Sequence, residues 1–372
     1  MSRNNNTEAF FALLRAGLWN TEVRLELYGD IDYAVIQKLA EEQSVVGLVA
    51  AGMEHIVDNK PAKKDVLQFI GQTLQLEERN KAMNFFIGVL VDKMRDAGIY
   101  TLLVKGQGIA QCYEKPLWRS CGDVDFFLDV ENYEKAKEFL IPLSSFIEPE
   151  GEAALHFGVT IDPWVVELHG TLRCGLSARM DKAIDDIQAD TFDNNKVRIW
   201  MNGETEVFLP CADNDAVFVF THFLKHFYKG GLGLRQICDW CRLLWVYREE
   251  LDLQLLEDRL RSMGLLSEWK AFAAYAVLGL GMQVDAMPLY SDGGKWKRKA
   301  RRIQSFLLEV GNFGHNRDMS YYSKYPYVIR KAISFGQRVG DVCRHALIFP
   351  LDSLRFFPGI ILNGLKSAAR GE

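Results

Sequence analysis

The 372-residue chain lacks the marks of an exported or membrane-spanning protein. Its start, MSRNNNTEAFFALLRAGLW, has no basic leader, no long apolar run and no small-residue cleavage site. No uninterrupted apolar segment reaches the roughly 18–20 residues needed to span a bilayer. Seven cysteines, an odd number without an export signal, read as reduced thiols rather than a disulfide framework. Cys238 and Cys241 form one C-x-x-C, but it lies in the helical pattern RQICDWCRLLWVY with no second pair at zinc spacing, so buried thiols are expected there. There is no internal repeat and no low-complexity tract. A cytoplasmic globular protein is expected, and the composition, 48% hydrophobic and 25% charged, agrees with a well-filled core.

The net charge of −5 hides an asymmetry. From Lys295 to Glu372 there are 15 Lys and Arg against 5 Asp and Glu, so the rest of the chain is strongly acidic. Such a split fits a basic region that faces an acidic body, lines a cleft for an anionic substrate, or contacts nucleic acid or a membrane. The apolar, basic ending RHALIFPLDSLRFFPGIILNGLKSAARG either docks on a membrane surface or packs against its own domain; packing is the expectation.

Three zones follow from the hydrophobic periodicity. Residues 1–97 repeat apolar residues at three- and four-residue steps and read as helices, with Asp30 or Asp32 as an N-cap and one long helix from Asp65 to Ala97 stopped by Gly98. Residues 98–210 change character: IYTLLV and DVDFFLDV read as strands around a short helical piece, and ENYEKAKEFLIPL as an amphipathic helix. HFGVTI and WVVELHG form a hairpin across Asp162-Pro163, and KVRIWMNGETEVFLP a second across Asn202-Gly203. Residues 211–372 return to helices, the first two split at Gly230–Gly233. The fold class expected is α+β, a small mixed-sheet core flanked by helical amino- and carboxy-terminal domains.

The chemistry centres on LLVKGQGIAQCYEKPLWRSCGDVDFFLDV. Asp123 and Asp125 are two apart on a strand, so both carboxylates point to one side. They repel each other, and a divalent cation is the natural partner. Glu167, mid-strand among apolar residues, is the expected third carboxylate, since one buried there without a partner would be costly. Three carboxylates around two hard cations, Mg²⁺ or Mn²⁺, suit attack on a nucleotide's phosphate. Lys105-Gly106-Gln107-Gly108 lies between a strand and a helix, where backbone N–H groups bind phosphate, and Lys105 and Arg119 add positive charge. Asp129, further along, is expected outside the cation's reach. His222, Lys225 and His226 share a helix face. Either they cover a nucleotide together with Arg235 and Asp239, or they are packing residues.

The same residues resemble the signature of the uncharacterised nucleotidyltransferase family within the DNA polymerase β-like superfamily. The resemblance lies in a Leu-Lys-Gly turn, then Tyr-x-x-Pro-x-x-Arg, then Gly-Asp-h-Asp-h, where h is apolar: here Lys105, Gly106, Tyr113, Pro116, Arg119, Gly122, Asp123 and Asp125. VVELHG is similar to the family's acidic-Leu-His strand and places Glu167 and His169, and HFLKHFYKGGLGLRQICDW resembles its downstream helices. The resemblance covers residues from about 100 to 240. It implies metal-dependent transfer of a nucleoside monophosphate from a nucleoside triphosphate to an acceptor hydroxyl, with release of pyrophosphate. The acceptor, whether small molecule, sugar, protein or RNA end, stays open.

Gly106-Gln107 stands where the wider superfamily has Gly-Ser or Gly-Gly, and the gap to the Asp pair is longer than usual. This keeps open a second reading, a non-catalytic binding or assembly module on a nucleotidyltransferase fold. A D-x-D nucleotide-sugar glycosyltransferase is a third, but that fold builds a Rossmann-type sheet before its motif, and here the first 97 residues read as helical. A haloacid-dehalogenase phosphatase is disfavoured because Phe126-Phe127 replaces the Gly-Thr it needs.

Overall fold

The computed structural model describes residues 2–148, 155–229, 231–311 and 326–357. Four helices come first: α1 (Ser2–Trp19), α2 (Tyr33–Glu42), α3 (Val46–Met53) and α4 (Lys63–Asp96). Asp32 caps α2 by accepting from the Ala34 N–H, and α4 stops at Ala97–Gly98, where Gly98 takes φ 73°. Where α1 crosses α3 the backbones almost touch. A Cβ on Gly17 would stand 1.9 Å from the Leu48 carbonyl, and one on Gly52 equally close to that of Leu13.

The central zone holds β1 (Leu102–Val104), α5 (Gly106–Ala110), β2 (Asp123–Phe127), α6 (Val130–Leu140), β3 (Phe146–Ile147), β4 (His156–Ile161), β5 (Trp164–His169) and α7 (Ala178–Asp193). Five strands form one sheet in the order β1-β2-β5-β4-β3. It is mixed: β2 and β5 run parallel, and the other neighbours antiparallel. The hairpin across Asp162-Pro163 pairs β4 with β5. The second hairpin, β6 (Val197–Asn202) and β7 (Thr205–Pro210), forms a separate two-stranded sheet.

Alternation along the strands gives the main sheet two different faces. Leu103, Val124, Phe126, Phe157, Val159, Val166 and Leu168 bury one face against Met83, Ile87, Leu90 and Met94 of α4 and Tyr133, Ala136 and Leu140 of α6. The opposite face carries the acids. Beyond them Leu102, Val104 and Phe127 join a second, larger core, and Phe127 packs on Phe192 of α7 and on Phe218.

That larger core is built by α8 (Ala212–Lys229), α9 (Leu234–Val246), α10 (Leu253–Met263), α11 (Leu266–Leu278), α12 (Gly294–Val310) and α13 (Tyr327–Ile348), together with α1. The amino- and carboxy-terminal helices therefore share one hydrophobic cluster around Phe220, Trp240, Trp269 and Phe272. Cys238 and Cys241 are buried thiols within it. Of the apolar ending, Ile348, Phe349 and Phe356 are buried, while residues 358–372 lie outside the described residues. No helix among the described residues is long and apolar enough to cross a membrane.

A methyl group at Gly52 has no room. Gly52→Ala is expected to destabilise the protein by about 3 kcal/mol, the upper range for overpacking a tight interior contact, read as a lower denaturant midpoint with an unchanged slope.

Candidate functional site

The site follows from one register. In the parallel β2–β5 pair Asp125 lies beside Glu167, and Phe127 beside His169. Asp123, two residues before Asp125, shares that face. The three carboxylates thereby come together, with one oxygen from each within 4.8 Å of the others.

Their charges are compensated unequally. Asp125 is 3% exposed, and its Oδ1 accepts from Lys105 Nζ at 2.9 Å and lies 2.7 Å from His169 Nε2. Burial pushes this carboxyl up, but the Lys105 charge and the His169 hydrogen bond prevail and hold it below its ordinary value. Glu167 Oε2 lies 3.2 Å from His156 Nε2 and 3.4 Å from His169 Nε2, and these two bonds hold its carboxyl well below the usual range. Asp123 is pushed up, first by the neighbouring Asp125 charge, then by burial and by Glu167, with Lys105 and Arg235 opposing. A set of oxygens in which one acid is raised by its neighbours is under-neutralised, and it fits a hard divalent cation.

Lys105 sits at the turn after β1 with φ 58°, an uncommon conformation for a residue with a side chain. Gly106 follows at φ 39°, where an added Cβ would meet Cys121 Sγ at 3.3 Å. The chain thus doubles back tightly beside the Asp strand, which brings the Lys105 amine onto Asp125. Gln107 points the other way. It is 1% exposed and donates to Asn80 Oδ1 of α4 at 2.8 Å, while Asn80 donates in turn to the carbonyls of Leu117 and Arg119.

Arg119 differs from the expectation of a phosphate contact. It is buried and makes a two-pronged pair with Asp239, Nε to Oδ1 at 3.1 Å and Nη2 to Oδ2 at 2.6 Å. Tyr113 donates to the same Oδ1 at 2.8 Å. Desolvating a guanidinium requires a geometrically matched carboxylate, and Asp239 provides it. The Tyr-x-x-Pro-x-x-Arg stretch is thus a strut between the loop before β2 and α9. Asp129 caps α6 by accepting from the Asn132 N–H.

His222, Lys225 and His226 lie close enough to the charge centre to feel it. Burial lowers His222, and so do the charges of Lys105, His226, Lys225 and His169; the two rings meet with Nε2 atoms 3.0 Å apart. His226 is pushed down to about 4, first by burial and then by Lys225 and Lys105. Arg235 donates from Nη1 to the Ser120 carbonyl at 2.9 Å and lends positive charge to Asp123. Its Nε is buried with no partner among the described residues. The residue that sequence reasoning missed is His156. It was legible in principle, since a two-residue turn at Asp162-Pro163 sets Ile161 against Trp164 and, counting outward, His156 against His169. A separate cavity of about 560 Å³ between α1 and α9, lined by Trp19, Trp245, Arg15 and Arg24, contains none of these acids and is set aside on chemical grounds.

Three carboxylates on adjacent parallel strands, with a lysine beside them at a Gly turn, form an acidic cluster that could hold a metal ion. Comparison supplies the family: residues 29–281 match the model of the uncharacterised nucleotidyltransferases, and the chain belongs to that family. The family supports a general nucleotidyltransferase role. No curated protein and no solved structure matches the chain.

Two outcomes follow. Asp239→Asn leaves Arg119 buried with a neutral partner and is expected to cost about 3–5 kcal/mol, whereas the double change Arg119→Met with Asp239→Leu costs less, measured by urea unfolding. The second concerns pH. The folded protein keeps His226 neutral down to about pH 4, whereas the unfolded chain protonates it near 6.5. Below about pH 6.5 the unfolded state binds more protons, so this residue withdraws stability as pH falls, by about 1.4 kcal/mol per unit until about pH 4. His226→Gln is expected to flatten the slope of stability against pH between 6.5 and 5; an unaltered slope would refute a buried neutral ring.

Proposed function

We propose that the protein moves a nucleoside monophosphate from a nucleoside triphosphate to an acceptor hydroxyl, releasing pyrophosphate. One observation carries the reading: Asp123, Asp125 and Glu167 present oxygens within 4.8 Å of one another on one sheet face. In this reading Asp123 and Asp125 hold two cations, Mg²⁺ or Mn²⁺, and Glu167 completes the one nearer the acceptor. Such ions supply Lewis acidity, easing deprotonation of an acceptor hydroxyl and neutralising the leaving pyrophosphate.

The chain's own groups have the remaining tasks. Lys105, 2.9 Å from Asp125, would supply positive charge to a bound triphosphate beside the acids. Gly106 turns the backbone close to the acids, and in this reading its N–H and that of Gln107 would receive phosphate oxygens. His169 fixes Asp125 and Glu167 in position. Arg119 acts at one remove, by holding the loop that delivers Asp123. Arg235 and Lys225 add positive charge beside the acids, suited to an anionic ligand.

Two features favour catalysis over a non-catalytic module. All three acids are present side by side, and the Gln107 side chain that departs from the superfamily pattern is turned into the interior on Asn80, away from the turn's outer surface. A glycosyltransferase reading loses support because helices precede the sheet and, among the described strands of that sheet, only the β2–β5 pair runs parallel.

The test is a titration of the purified protein with ATP, CTP, GTP and UTP, with and without Mg²⁺, beside an Asp123→Asn/Asp125→Asn variant. Metal-dependent binding of at least one triphosphate, lost in the variant, is expected. Binding that survives both chelation and the double substitution would overturn the assignment, as would no binding to any of the four.

A further inference from the structure

Beside the all-oxygen cage the sheet builds a second, chemically different cluster. His156 and His169 are direct cross-strand partners in the β4–β5 hairpin, and Glu167 lies two residues before His169 on the same face. The atoms His156 Nε2, Glu167 Oε2 and His169 Nε2 lie within 4.8 Å of one another. The two His–Glu separations are 3.2 and 3.4 Å. Ligands bound at about 2.0–2.1 Å to a tetrahedral Zn²⁺ stand about 3.3 Å apart, so two edges of the polyhedron are already in place. Opposite Glu167 the hairpin carries Gly158, which leaves the space beside the carboxylate free of a side chain on that strand; the carboxylate of Glu148 lies over it.

The ligand set differs from the neighbouring cage in kind. Three carboxylates suit Mg²⁺, which binds imidazole poorly, whereas two imidazoles and one carboxylate suit a divalent d-block cation. His156 is 35% exposed and Glu167 25%, so an ion can reach the cluster from solvent, while the Nε2 of His169, a residue 10% exposed, is shared between Glu167 and Asp125 Oδ1 at 2.7 Å. All three side chains stand on paired strands rather than loops, so little ordering entropy opposes binding.

We propose that His156, His169 and Glu167 form a site for one divalent d-block cation of the Zn²⁺ type, distinct from the hard-cation cage and sharing Glu167 with it. The fourth position is open to water or to an acceptor oxygen. When the ion occupies His169 Nε2, that ring releases Asp125 Oδ1, which is then available to the neighbouring cage. The two positions are thus linked through Glu167 and Asp125. The inference deepens the cation-centre reading above but does not require that nucleotides be transferred.

The full chain, stripped with a chelator, would be titrated with Co²⁺ in excess Mg²⁺, which keeps the oxygen cage filled, and followed by the visible ligand-field absorption of four-coordinate cobalt. One equivalent is expected to bind. In His156→Ala the affinity falls by ~100-fold or more, while Asp123→Asn retains the absorption. The melting temperature of His156→Ala without metal, unchanged from the parent, excludes misfolding; if it falls, His156→Cys, which replaces one ligand by another, restores cobalt binding. Cobalt bound equally well by His156→Ala, or lost in Asp123→Asn and kept in His156→Ala, places the ion in the carboxylate cage and overturns the proposal; so does no binding by the parent. If the parent binds cobalt through His156 but no triphosphate, this site stands and the nucleotidyl-transfer reading falls.

Discussion

Three carboxylates within a few ångströms of one another are an unstable arrangement in a folded interior, and the centre of this molecule is organised around that repulsion. Asp125, the most deeply buried of the three, takes both Lys105 and His169 on one oxygen. Glu167 takes His156 and His169. Asp123, left without such a partner, shows the residual strain as a raised pKa. Lys105 reaches its acid from a positive-φ conformation, and such a conformation persists where the surrounding structure over-determines it. The charge centre is thus held together by a lysine and two histidines of the chain itself.

The surrounding scaffold keeps the acids from relaxing apart. One sheet face is sealed against α4 and α6, the ends of β1 and β2 are anchored in the helical core, and the loop entering β2 is pinned by Tyr113 and Arg119 on Asp239. A buried pair of this kind adds little net stability over an apolar substitute, but it fixes one arrangement of loop and helix. A motif arginine close to the acids in sequence is thus spent on Asp239.

Much of this was legible in the sequence, and the limits have physical causes. Strand-like runs joined at Asp162-Pro163 and Asn202-Gly203 identified both hairpins, and period-two alternation put Asp123 and Asp125 on one face; three- and four-residue periodicity found the long helix, with Gly98 as its stop. The place of Glu167 was inferred from the cost of a lone carboxylate among apolar residues, and the parallel β2–β5 register brings it beside Asp125. The orientation of Arg119 was not legible, because a charge 120 residues away decides it, and local pattern does not carry that distance. His156 lies in between: the hairpin register contained it, but a single histidine at a strand start gives no signal until its cross-strand partner is counted. Gln107 looked like a defect in a phosphate turn, and only its contact with Asn80 reveals a packing role.

The long helix α4 has a consequence of its own. Over about 50 Å it touches the site's supports at several levels. Asn80 grips Gln107 and the Leu117–Arg119 loop, the Asn84 carbonyl accepts from Asn202 at the tip of the second hairpin, and Asp92 accepts from Thr205. The second half of α4 is thus tied both to the turn that carries Lys105, through Gln107, and to the β6–β7 hairpin, so these two distant parts of the chain rest on one continuous element.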